Sequence, residues 1–141
     1  MMLLKDIQTP RCYTPPDFGE PVSQSLHCFS DGSSTGYGQV AYLRCVNADS
    51  KVHVSQVTAK SRVAPLKSVT MPRLELTAGT VSVKVAALVS EELDFPDLTV
   101  TYWTDSTIVL GYIANEEKRF RTCVASPSNP QLLKKASVEV C

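Results

Sequence analysis

No pair of cysteines in this chain has the spacing of a zinc site. The five (Cys12, Cys28, Cys45, Cys123 and Cys141) are odd in number and scattered, with no CxxC among them. His27 and Cys28 are neighbours, but successive side chains on a strand point to opposite faces, so they do not chelate together. A reduced thiol set in an intracellular, cytoplasmic setting is the simplest reading. Neither charge sign is in excess. Fourteen basic and fourteen acidic residues give a net charge of zero and a pI near 6.7, which excludes a global basic field. No apolar run is long enough to span a membrane, and that of MMLLKDIQTP is too short for a signal peptide. No internal repeat is visible.

What is present is globular. The chain has 141 residues, 43% of them hydrophobic and 20% charged, which suits one domain with a real core. Such a chain buries roughly two thirds of its unfolded surface. Charge is unevenly placed. Ser50 to Leu74 holds Lys51, Lys60, Arg62, Lys67 and Arg73 and no acid, while acids gather at Glu91, Glu92, Asp94 and Asp97.

The element order reads β-β-β-α-β-α. Residues 1–25 contain PRCYTPPDFGEP and read as a connector. Leu26 to Ser30, Tyr37 to Val46 and Val52 to Arg62 read as strands, joined by the turn-forming GSSTG and NADSK. MPRLELTAGTVSVKVAALVSEEL reads as a helix. Pro72 suits its first turn, and Leu74, Ala78, Val81, Val85 and Leu88 share one face. A strand over Val81 to Val85 competes locally. Leu98 to Trp103 is a fourth strand, and Thr107 to Asn115 a short second helix, weakened by Gly111.

Three carboxylates stand out on that order. Asp31 and Asp105 each end a strand and precede small polar residues. Glu75 starts the long helix, with Ala78, Gly79 and Ser82 on its side, so that face can approach a sheet closely. Converging carboxylates repel unless they hold a cation. Mg²⁺ takes hard oxygen ligands and keeps several waters, so a few Asp and Glu suffice. Two such ions activate water and stabilise the leaving oxygen in phosphodiester cleavage. Each residue also has a plainer role: Asp31 as a turn former, Glu75 as a complement to the helix dipole, Asp105 as a helix cap. His27 and His53 read as strand-face residues and Trp103 as core. The basic stretch reads equally as a solvated edge.

At these residues the chain resembles the ribonuclease H-like region of BEL/Pao-type retrotransposon polyproteins. The matching stretches are LHCFSDGSSTGYGQVAYLR, KSRVAPLKSVTMPRLELTA and YWTDSTIVLGYIANEEKRFRTCVA, within residues 26–125. The first and third are specific together. PRCYTPPDFG is similar to the segment leading in from the reverse transcriptase. The resemblance implies an α/β ribonuclease H-like fold, a five-stranded mixed sheet flanked by helices. It implies Mg²⁺- or Mn²⁺-dependent cleavage of the RNA strand of RNA–DNA hybrids, with two ions, beside a reverse transcriptase domain of the parent polyprotein. The catalytic and metal-binding residues it implies are Asp31 in FSDGS, Glu75 in PRLELTA and Asp105 in WTDST. The order Asp, Glu, Asp speaks against retroviral-type integrases, which run Asp, Asp, Glu.

The match stops near Ala125. Residues 126–141 form a divergent tail without aspartate, where the family has a further helix, a fifth strand and a fourth carboxylate. The resemblance therefore implies that the C-terminal strand and helix are missing, as in a truncated or domesticated copy. Two readings stay open: a metal-dependent ribonuclease H whose Lys60, Arg62, Lys67 and Arg73 meet backbone phosphates, and a catalytically inactive nucleic-acid-binding or structural relic. A third, an actin-like or sugar-kinase-like ATPase suggested by DGSSTG, ranks below them. The chain is short for two lobes and shows no second phosphate loop.

Overall fold

The computed structural model describes residues 12–112, 115 and 136–140. Three alternating runs form an antiparallel meander: β1 (Pro21–Gly32), β2 (Gly36–Asn47) and β3 (Val52–Val63). The period of two decides which face is buried. Leu26, Cys28 and Ser30 of β1, with Gln39, Ala41, Leu43, Cys45 and Asn47 of β2, point inward. Helix α1 (Met71–Leu93) covers that face, and β4 (Thr99–Thr104) then pairs parallel to β1. A helical segment over 107–112 follows. β5 (Ala136–Val140) pairs parallel to β4, giving the sheet order β3-β2-β1-β4-β5.

The long helix spans the run anticipated from Pro72 and the 3.6-residue period. Local strand alternation at Val81 to Val85 loses to the continuous ladder and the tertiary face. The buried stripe is rotated from the expected one. Gly79, Ser82, Val83, Ala86 and Ser90 join Leu74, Ala78 and Val85 inside, whereas Leu88 is 60% exposed. Small residues dominate because the helix lies close to the sheet, leaving no room for a second row of leucines. Leu98, Val100 and Tyr102 of β4 and Val109 of the helical segment complete the core.

Two expectations are corrected. Residues 1–25 are not all connector: β1 begins at Pro21, and Phe18 is a core residue, 8% exposed. Asn47 Nδ2 donates to the Phe18 carbonyl at 2.8 Å, and the Phe18 ring lies 6.0 Å from that of His53. The phenyl closes the end of the core, and no period announces a lone plug. Nor is the fifth strand missing. Residues 136–140 carry β-branched Val138 and Val140 at strand spacing and supply the ladder that β4 would otherwise lack on that side. The fate of the final helix, and of most of the tail, lies outside the described residues. Burial pushes the Cys28 thiol up to about 12 and raises that of Cys45, so both behave as small hydrophobes.

If Phe18 is part of the core, Phe18→Ala destabilises the domain by about 3 kcal/mol, the usual cost of a buried phenyl. Urea unfolding checks this. A midpoint equal to wild type would return residues 12–20 to the status of a linker.

Candidate active site

Register decides where the strand-end carboxylates lie. Phe29 of β1 pairs with Trp103 of β4 in parallel, so Asp31 and Asp105, each two residues further on, stand at the same end of the sheet. Both are exposed, and both line one open concavity of about 860 Å³ over the strand tips. Asp31 Oδ1 accepts the Gly32 N–H at 2.7 Å, which holds the carboxylate against its own turn. That turn is closed by Ser33, whose N–H donates to the Gly36 carbonyl at 2.7 Å and whose hydroxyl accepts the Gly36 N–H at 3.2 Å.

Glu75 reaches the same end of the sheet through backbone packing. A Cβ on Gly32 would lie 2.7 Å from the Glu75 nitrogen and 2.9 Å from the Leu74 carbonyl carbon. The start of α1 therefore rests directly on the tip of β1. Glu75 is half-buried and is the fifth residue of α1, so it lies past the first turn, where no acid occurs. The dipole role is weakened accordingly. The capping role of Asp105 is also displaced: the Val109 N–H donates to Ser106 Oγ at 3.5 Å.

Among the described residues, no three His, Cys, Asp or Glu side chains converge closely enough to hold a metal ion. The donors nonetheless fit Mg²⁺ or Mn²⁺ in kind. All are carboxylate oxygens, two of them exposed at one rim, and such ions keep part of their water shell.

The basic residues divide into two pairs. Exposed Lys60 and Arg62 of β3 form the far wall of the concavity. Lys67, on the loop after β3, and Arg73, third in α1, are exposed but do not line it. Three features were not anticipated. Trp103 is half-buried on the sheet face away from α1, not in the core. There it stacks on Phe29 at 5.8 Å with 8° between the rings. His27 accepts a hydrogen bond from Trp103 Nε1 at 3.0 Å. Gln39 is 4% exposed, and neither of its amide atoms has a hydrogen-bond partner among the described residues. A signal for the aromatic pair was present: FSD and WTD each put an aromatic two residues before the aspartate, hence on the same strand face.

Comparison with known proteins now bears on this geometry. The model of the Pao retrotransposon-like RNaseH-like domain matches residues 2–106. The chain belongs to this family. Its fold is ribonuclease H-like, in the mixed sheet order described above. Among solved structures it is similar to RNase H1 from the archaeon Halobacterium salinarum NRC-1 (15% identity, TM-score 0.39), covering 83% of this chain and 85% of that one. It is also similar to the N-terminal RNase H domain of a Mycobacterium tuberculosis protein (14% identity, TM-score 0.44), covering 84% and 83%. A third is LC11-RNase H1 in complex with an RNA/DNA hybrid (7% identity, TM-score 0.38), covering 84% and 85%. A search of curated proteins returned no match.

The contact between Gly32 and α1 is backbone on backbone, so neither side can yield by changing rotamer. Gly32→Ala is expected to lower stability by roughly 1–3 kcal/mol, the range for overpacking, and to displace the start of α1. Thermal unfolding with helical circular dichroism reads both. An unchanged melting temperature would mean the two backbones do not meet.

Proposed function

We propose that this Pao-type domain is a metal-dependent ribonuclease H that hydrolyses the RNA strand of RNA–DNA hybrids. The supporting observation is the meeting of three elements at one end of the sheet. Parallel β1 and β4 carry Asp31 and Asp105 to a common rim, and Gly32 seats the start of α1, with Glu75, against it. Asp31, Glu75 and Asp105 would hold Mg²⁺ or Mn²⁺, which when bound supplies an activated water and charge stabilisation at the leaving oxygen. Asp31 is oriented by the Gly32 amide. Lys60 and Arg62 line the same concavity as the two aspartates and suit backbone phosphates, with Lys67 and Arg73 extending the basic track. Recognition of RNA would rest on 2′-hydroxyls and hybrid shape. The reverse transcriptase domain of a parent polyprotein is the natural source of the hybrid.

The second reading, a non-catalytic nucleic-acid-binding or structural relic, is favoured by one observation: the described side chains form no three-membered metal cluster. The two readings part on cleavage of a labelled RNA–DNA hybrid. With Mg²⁺ or Mn²⁺, wild type is expected to cleave, and Asp31→Asn and Asp105→Asn to lose at least about 100-fold in rate, as when a group that stabilises transition-state charge is removed. Cleavage untouched by both substitutions would assign the activity to another site or a contaminant.

Hybrid affinity should fall as salt rises, with a slope of about −0.7 to −0.9 per neutralised phosphate. Lys60→Ala combined with Arg62→Ala is expected to reduce that slope by one to two such units in a filter-binding series. An unchanged slope would remove β3 from the interface.

A further inference from the structure

The sheet face turned away from α1 carries a hydrogen-bonded pair that the proposed chemistry does not use. Trp103 Nε1 donates to His27 Nδ1 at 3.0 Å, and the two rings lie edge to edge with centroids 6.0 Å apart and 28° between their planes. His27 Nε2 lies 3.0 Å from Ser25 Oγ. An indole N–H can only donate, so Nδ1 must accept. The proton then sits on Nε2 and faces Ser25. This fixes the imidazole as the neutral Nε2–H tautomer.

We propose that His27 and Trp103 form a proton-sensitive clasp that positions Asp105 beside Asp31. The inference rests on the metal-site reading above. His27 lies on β1 four residues before Asp31, and Trp103 lies on β4 two residues before Asp105. Their bond joins β1 to β4 beside the Phe29–Trp103 ring contact, just behind the rim where the strands separate. His27 and Trp103 are positioning residues: neither is placed among the proposed ligands.

Protonation of Nδ1 replaces its lone pair with a second N–H, which opposes the indole donor. The clasp is therefore closed with neutral imidazole and opens as the ring takes up a proton. Among the described residues, the register neighbours of His27 are these. Ser25 and Phe29 flank it on β1. Tyr42 is its register partner on β2, with Arg44 next on that face. Thr101 is its partner on β4. Glu139 of β5 pairs in register with Trp103, one strand further out. Among these named neighbours Arg44 is a fixed cation, and like charge works against the imidazolium.

Trp103 is the single tryptophan of the chain, so its emission reports on the clasp directly. The experiment follows emission from about pH 8 to about pH 5, spanning the usual imidazole range, for wild type and His27→Gln. Gln offers a carbonyl acceptor that does not titrate. Wild type should show an emission transition, and the variant should not. Mn²⁺ affinity is then measured by calorimetry at both ends of the range. Wild type should weaken by about two- to tenfold relative to His27→Gln on acidification, the effect of one lost neutral hydrogen bond. Trp103→Phe, which keeps the ring and removes the donor, should bind Mn²⁺ with the same ratio to His27→Gln at both pH values. Matching emission curves for wild type and His27→Gln would overturn the clasp. An emission transition with an unchanged affinity ratio would overturn its positioning role. Absence of Mn²⁺ binding in every protein, with the emission transition intact, would overturn the metal-site reading and the positioning role with it, and leave the hydrogen bond itself established.

Discussion

The contact on which this fold turns has no side chain on one side of it. Gly32 lies at the tip of β1, and a single methyl there would collide with the backbone of Leu74 and Glu75. Backbone contact at that distance fixes the height of α1 above the sheet. The low height explains the small residues along the buried stripe of α1, where Ala78, Gly79, Ser82 and Ala86 stand at positions a more distant helix would fill with leucine. It fits the origin of the largest fully buried side chains, Leu26, Leu43, Leu98 and Val109, in the sheet and its flanks, with Leu74 the one buried leucine among the described residues of α1. It also ties the proposed site to the core, because displacing α1 would move Glu75 and unseat the stripe together.

Much of this was legible from local chemistry. The bounds of α1 followed from Pro72, the 3.6-residue period and the charged ending. The meander followed from alternation broken at GSSTG and NADSK. In the second turn, Asn47 Oδ1 accepts the Asp49 and Lys51 amides, and Ser50 takes a positive φ. What stayed hidden was non-local. Alternation shows that Trp103 and Tyr102 face opposite ways but not which way is inward. Only pairing with β1, where Cys28 opposes Tyr102, decides that Trp103 faces out. Phe18 carries no period because a single residue has none. β5 follows a long tail with no clear pattern, and a five-residue edge strand has too little sequence to announce itself.

The carboxylates illustrate the same division. Their identity and chain order were visible in FSD, LEL and WTD. Their placement at one end of the sheet required β1 and β4 to be adjacent and parallel, which no local signal states. Exposure of Asp31 and Asp105 is what charge chemistry favours. An unpaired carboxylate is costly to bury, so a site built to receive a cation keeps its donors at the rim. Gln39 shows the contrast. Its uncharged amide sits buried on the strand beside β1 without a hydrogen-bond partner among the described residues, a burden of the size of a lost hydrogen bond that the surrounding core must offset.

The proposed ligands are held by two different kinds of constraint, and this bears on how they would act together. Asp31 and Asp105 lie two residues past the last register pair of the parallel β1–β4 ladder, Phe29 and Trp103, whose strands lie about 4.8 Å apart, and the His27–Trp103 bond joins the strands just behind that open end. Glu75 is set by packing of a helix on small side chains, which yields in small increments. A site of this build has two donors at the open end of a ladder and one carried by α1. On the α1 side, tightening around an ion is limited by the Gly32 contact, beyond which the two backbones cannot approach. The glycine that admits the helix to the site also stops it there.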